Sequence, residues 1–174
     1  MKYNQVTIED IARELGISLS TVSRALKDHP DISPQTKKAV NELADKLNYQ
    51  PNIVALSLRQ SKTNTLGIII PELVHFFFST VISGIEDVAN SAGYNVIITQ
   101  SNESLQREKM NIKTLFNSRV DGMLISLSRE TSSFEHIEGI LAKGVPMVFF
   151  DRVYENANSS MVIVDDLSGA KEAT

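Results

Sequence analysis

Ser20, Thr21, Ser23 and Arg24 lie within one short stretch, Ile17-Ser18-Leu19-Ser20-Thr21-Val22-Ser23-Arg24. Small hydroxyls bond to phosphate oxygens, and a guanidinium also forks onto the edge of guanine. A second set is spread far along the chain: Phe77 and Phe78, then Ser126, then Asp151 and Arg152. Aromatic faces stack on sugar rings or purine bases, and carboxylates with Arg bond to hydroxyls, so this set suits half of a small-molecule site. Three successive phenylalanines after a strand read as a loop, because a helix or strand would expose at least one. They also read simply as core, and both readings stay open.

Each set needs elements to hold it. Ile8, Ile11, Ala12 and Leu15 fall at i, i+3, i+4 and i+7, which predicts a first helix with one apolar face. Thr7 is its cap, Glu9 and Asp10 sit where the dipole favours acids, and Gly16 stops it. Ser18 caps a second helix from Leu19 to about Leu26, with Val22, Ala25 and Leu26 inward. Periodicity also sends Leu19 to the core. Ser33 and Pro34 open a third helix with Val40, Leu43, Ala44 and Leu47 inward. Two short helices about a tight glycine turn make a helix-turn-helix, whose second helix enters the major groove of DNA. A helical hairpin with no DNA role would share the spacing, although the Ser/Thr/Arg face is unlike an ordinary solvated one.

Pro51 ends the third helix region. Asn52 to Gln60 then reads as about two turns of apolar, helix-compatible sequence, too short to be stable alone. It either packs on the neighbouring domain or needs a partner. From Leu66 the pattern alternates: strand to Ile70, helix Ser79 to Ala92 with Val81, Ile82, Ile85, Val88 and Ala89 inward, and strand Asn95 to Thr99. A helix follows from about Leu105 to Asn117, then strand Gly122 to Ser126, helix Phe134 to Lys143, strand Met147 to Phe150 and strand Met161 to Val164. A further helix begins near Ser168. Apolar strands separated by helices mean βαβ units and a parallel sheet covered on both faces. Ligands bind such sheets beyond the carboxyl ends of the strands, where Phe77, Phe78, Ser126, Asp151 and Arg152 fall.

Composition narrows the function classes. With 42% apolar and 22% charged residues the chain is an ordinary globular one, and no apolar run approaches membrane-spanning length. The absence of cysteine excludes disulfides and thiol chemistry and fits the cytoplasm. Met1 to Gln5 leads straight into a capped helix, so no signal peptide is expected. Residues 1–64 hold nine Lys and Arg against seven Asp and Glu, and residues 65–174 hold eight against fourteen. That is a weakly basic head on an acidic body, and so weak a head should need two copies to hold DNA. No phosphate loop, nucleophile elbow or metal spacing is present, so no enzyme, cofactor or metal is expected. His29 reads as a turn residue, His136 as helix surface and Asp121 as a turn residue.

Five pieces carry a resemblance: Val6 to Ala12, Gly16 to Ser18, Thr21 to Leu26, Ile32 to Thr36 and Leu47 to Asn52. Their order and spacing resemble the headpiece of the lactose-repressor/galactose-repressor (LacI/GalR) family of bacterial regulators. The resemblance implies a three-helix headpiece over 5–52, a hinge helix and linker over 53–64, and over 65–174 the first lobe of a periplasmic-binding-protein-like effector domain. It implies a regulator, most often a repressor, that binds a palindromic operator as a homodimer under a small sugar-like or nucleobase-like effector. A fragment of a solute-binding protein without DNA role is the alternative. Arg24 and Ser20 would read bases, and Leu19, which the family places at the groove, would touch a thymine methyl. Thr7, Ser18, Ser23, Ser33, Thr36, Tyr49 and Asn52 would fix the register on the backbone, with Thr21 and Lys27 as further DNA contacts. Leu58, flanked by Ala55 and Arg59, would wedge into the minor groove. Phe77 and Phe78 match aromatic positions of purine-binding members. Family members carry a second lobe, so the effector site here is expected to be a half-cleft.

Overall fold

The structure is a computed structural model and describes residues 6–50 and 62–172. The chain divides between residues 60 and 61 into two compact units.

The first unit consists of α1 (Ile8–Leu15), α2 (Leu19–Ala25) and α3 (Pro34–Lys46). Thr7 and Asp10 form a reciprocal capping box: the Asp10 amide donates to Thr7 Oγ1 at 3.3 Å, and the Thr7 amide donates to Asp10 Oδ2 at 2.9 Å. Gly16 ends α1 at φ 65°, a left-handed conformation that glycine adopts freely. Ser18 and Ser33 cap α2 and α3, and Pro34 occupies the first turn of α3. Ile11, Val22 and Val40, one from each helix, are wholly buried and hold the unit together with Ala25, Leu43 and Ala44. Each buried Ile, Val or Leu side chain contributes roughly 1.5–3 kcal/mol, an alanine methyl less.

The second unit runs β1 (Thr65–Ile70), α4 (Phe76–Ser91), β2 (Asn95–Gln100), α5 (Leu105–Asn117), β3 (Gly122–Ile125), α6 (Glu135–Leu141), β4 (Met147–Phe150), β5 (Ser160–Val162) and α7 (Asp166–Glu172). Its described strands form one parallel sheet in the order β2-β1-β3-β4-β5. Ile69, Ile125 and Phe149 pack on Ile112 and Leu115 of α5 and Ile137 of α6. Ile68, Ile70 and Phe150 pack on Phe78 and Ile82 of α4. Both faces are covered over β1, β3 and β4, which is why these strands read as unbroken apolar runs, whereas the edge strands β2 and β5 are half-buried or exposed. At Gly67 an added Cβ would lie 2.7 Å from Leu115 Cδ1, so the missing side chain lets α5 sit close on β1.

Several expectations need correction. The phenylalanines do not lie in a loop: α4 starts at Phe76, with Phe76 86% exposed, Phe77 47% exposed and Phe78 buried. Val88 is 69% exposed rather than inward, because the buried Phe78, Ile82 and Ala89 centre about 100° around the helix from it. Leu19 is 45% exposed, so periodicity misplaced it. His136 is not on the surface, its side chain being 11% exposed. β3 stops at Ile125, α6 is shorter than Phe134 to Lys143, β5 starts at Ser160 and stops at Val162, and α7 begins at Asp166 rather than Ser168. Asp121 does more than turn the chain, since its carboxylate accepts the amides of Thr63 and Asn64, each at 2.8 Å. Asn52, Ala55, Leu58, Arg59 and most of the expected hinge helix lie outside the described residues.

Candidate nucleic-acid interface and ligand site

On the first unit the sequence-derived residues gather about α2. Ser18 Oγ accepts from the Thr21 amide at 3.1 Å and lies 2.8 Å from both Ser20 Oγ and Thr21 Oγ1. Leu19, Ser20, Arg24 and Lys27 are exposed, and Thr21 and Ser23 are half-buried. Thr36 donates its amide to Ser33 Oγ at 3.2 Å, the two hydroxyls being 2.9 Å apart, so Ser33 is partly occupied in capping α3. Thr7 is likewise engaged in its capping box. Tyr49 packs against the three-helix core, and burial raises the pKa of its phenol, which keeps it neutral and able to donate.

The charge pattern separates the cations. Arg13 pairs with Asp10 at 3.0 Å, and Lys37 with Asp28 at 2.7 Å. The backbone amide of Thr7 first, and its hydroxyl next, hold the Asp10 carboxyl below its ordinary range, so it is ionised near neutrality. Arg24 and Lys27 have no carboxylate within ion-pair distance among the described residues. A guanidinium and an ammonium left uncompensated beside exposed hydroxyls leave α2 able to meet phosphates and base edges.

On the second unit the sheet order reverses between β1 and β3, which sets a crevice beyond their carboxyl ends. There Ser126 donates its hydroxyl to Asp151 Oδ2 at 3.0 Å. Arg152 Nη1 donates to both carboxylate oxygens of Glu103, at 2.9 and 2.7 Å, and reaches the Leu127 carbonyl at 3.3 Å. Asn102, Glu103 and Asp151 have left-handed φ values of 49°, 60° and 60°. Non-glycine residues in that region concentrate at functional sites. Asp151 is exposed and Arg152 half-buried. Phe77 lies edge-on to Phe78, which in turn meets Phe150 of the core. Of the two phenylalanines, Phe77 is thus the one open to a ligand.

The sequence reading missed two acids here. Glu103 accepts the Arg129 amide at 2.8 Å. Glu108, wholly buried on α5, accepts the Ser128 amide at 2.7 Å and the Thr131 hydroxyl, and lies 2.9 Å from His136 Nε2. Together they clamp successive amides of the segment after β3. Glu108 had a legible signal, a lone acid in the inward stripe of Leu105, Ile112 and Leu115, whereas its partners come from remote positions. His136 Nδ1 is buried with no partner among the described residues.

An open basin of about 730 Å³ lies instead at the amino ends of the strands, against Lys62, Phe116, Arg119 and Pro146. It touches none of the residues at the carboxyl ends, although Asp121 lines it, and the converging polar groups at the carboxyl ends mark the better ligand site. Among the described residues no three or more His, Cys, Asp or Glu side chains gather as a metal would need, and no helix is long and apolar enough to cross a membrane.

Known proteins match both units. Residues 7–52 match "Bacterial regulatory proteins, lacI family", and residues 63–174 match "Periplasmic binding proteins and sugar binding domain of LacI family". The chain is 34% identical over 168 residues to catabolite control protein A of Priestia megaterium, covering 97% of this chain and 50% of that one. To catabolite control protein A of Staphylococcus xylosus it is 38% identical over 170 residues, covering 97% and 51%. Among solved structures, the lac repressor dimer bound to operator and the anti-inducer ONPF superposes with a TM-score of 0.79 at 24% identity, over 97% of this chain and 52% of that chain, a likeness of fold. A LacI-family transcriptional regulator from Silicibacter pomeroyi gives 0.73 at 26% identity, over 91% and 47%. The chain spans about half the length of the curated relatives it matches.

Proposed function

We propose, from the premise that this chain belongs to the lacI family of bacterial regulatory proteins, that it is a sequence-specific DNA-binding regulator of transcription, a repressor under control of a small effector. In this reading 5–52 is the DNA-reading headpiece, 53–64 the hinge and linker, and 65–174 one lobe of the effector domain. Two copies bind a palindromic operator in the cytoplasm, each placing α2 in the major groove. Arg24 and Ser20 face base edges, Leu19 meets a thymine methyl, and Thr21, Ser23, Lys27 and the three cap hydroxyls fix the backbone register. Leu58 with Ala55 and Arg59 serves the minor groove. Phe77, Asp151 and Arg152 hold the effector, with the buried Ser126 fixing Asp151 from behind and Phe78 behind Phe77.

The observation that carries the reading is the outer face of α2 and the turn after it, where Arg24 and Lys27 have no carboxylate within ion-pair distance among the described residues and Ser20 is exposed. A fragment of a solute-binding protein would have no use for that face. Selecting bound duplexes from a random pool at stated salt tests it. A two-fold symmetric consensus is the expected outcome, and retention of all duplexes alike would end the regulator reading.

A further inference from the structure

At the carboxyl ends of the strands one acid governs the cations. Glu103 meets Arg152 through both carboxylate oxygens, and its Oε1 lies 3.8 Å from Arg129 Nε. Neither partner of the closer pair is sealed off: the Glu103 side chain is 27% exposed and that of Arg152 33%. Only Nη1 of Arg152 is used, so its Nη2 and Nε donate to nothing among the described residues. Asp151, next in the chain, adds a second carboxylate whose Oδ1 accepts no hydrogen bond among the described residues.

We propose that Glu103 sets the charge selectivity of this site, so that the lobe takes an uncharged, hydroxyl-bearing ligand and turns away a phosphorylated or carboxylated one. The inference rests on the effector reading above. An anion seeking Arg152 must displace Glu103 or bind beside it, and either way two negative groups are left within a few ångströms of each other with Asp151 close by. Like charges at that range repel strongly in a partly dry site. A hydroxyl ligand meets no such barrier, because it donates to Asp151 and accepts from the unused Arg152 donors while the ion pair stays intact. The Arg152 guanidinium holds the Glu103 carboxyl below its ordinary range, so the blocking charge is present at neutral pH.

The probe is inorganic phosphate, titrated into the full chain against chloride at matched ionic strength and followed by NMR at the backbone amides of residues 126–129 and 151–152. Glu103→Gln removes the charge and keeps an acceptor for the Arg129 amide and for Arg152. The wild-type chain should respond to phosphate no more than to chloride. E103Q should show a saturable response at least about tenfold tighter, the scale expected for one charge removed beside a partly exposed guanidinium. Glu103→Asp should behave as wild type, and adding Arg152→Gln to E103Q should abolish the response. Equal phosphate affinity in wild type and E103Q, no response in a folded E103Q, or a response that survives loss of Arg152 would each overturn the inference. Those failures leave operator selection unchanged, so the regulator reading stands or falls separately.

Discussion

The two units spend their polar residues in opposite ways. Among the described residues the first unit buries only apolar side chains and leaves its charges exposed or half-buried, whereas the second buries Ser101, Glu108, Ser126 and Ser128. In the first, polar groups act locally: a hydroxyl caps the helix it precedes, and the cation in that helix's last turn has no carboxylate partner among the described residues. In the second they act across the chain, so that one carboxylate on α5 ties together the segment after β3 and a ring on α6. A surface that reads an external polymer needs exposed groups on a small rigid core. A site that encloses a small molecule needs its walls fixed from behind.

The contrast is broken most severely at Glu108. Glu108→Ala leaves His136, Thr131 and the Ser128 amide without their acceptor in a buried setting, and removing one member of such a network costs about 3–5 kcal/mol. Native-state hydrogen exchange on the full chain should show lowered protection in β1, β3 and β4 with α1–α3 unchanged. Equal loss in both units, or none in the strands, would show that the polar interior is not what holds the second unit.

Arg24 tests the other side. Arg24 is exposed, so Arg24→Ala should leave both units as stable as before while costing about 1–3 kcal/mol in operator affinity and relaxing the preference at one base pair. Gel shifts on the selected consensus and on single-base variants separate the two effects. An equal loss on every sequence would demote Arg24 from base reader to phosphate contact.

This division also explains what the sequence made legible. Helix caps and the inward residues of α1–α3 follow from neighbours within four positions, and Thr7, Ser18 and Ser33 all cap as their spacing predicts. Leu19 escaped, because at the first turn of a seven-residue helix the apolar stripe has no preceding turn to align it. The sheet was legible from its apolar runs, but Val88 was not, since its exposure depends on which third of α4 meets β1. At the ligand end the strand-end residues were visible one by one. Their partners were not: Glu103 is 49 positions from Arg152 and Glu108 is 28 from His136. Local periodicity holds no information about pairings at that range, which only the strand order creates.

The smallest expected effect sharpens the comparison most finely, because Ser33 stands with one foot in each role. Its hydroxyl accepts the Thr36 amide and so belongs to the fold, while its exposure places it among the backbone-contacting hydroxyls of the headpiece reading. Ser33→Ala should therefore cost about 1 kcal/mol in the first unit through loss of the cap, seen as faster exchange confined to the first turns of α3. Pro34 limits that loss, since one amide that would otherwise need a partner is absent and its φ is already helical. Ser33→Asp restores the cap, because a carboxylate also accepts the Thr36 amide and suits the positive end of the helix. It also sets a negative charge where a phosphate would lie. If Ser33 only caps, S33D should recover both stability and operator binding. If it also meets the DNA backbone, S33D should recover stability and bind operator more weakly than S33A, most clearly at low salt where charge repulsion is least screened.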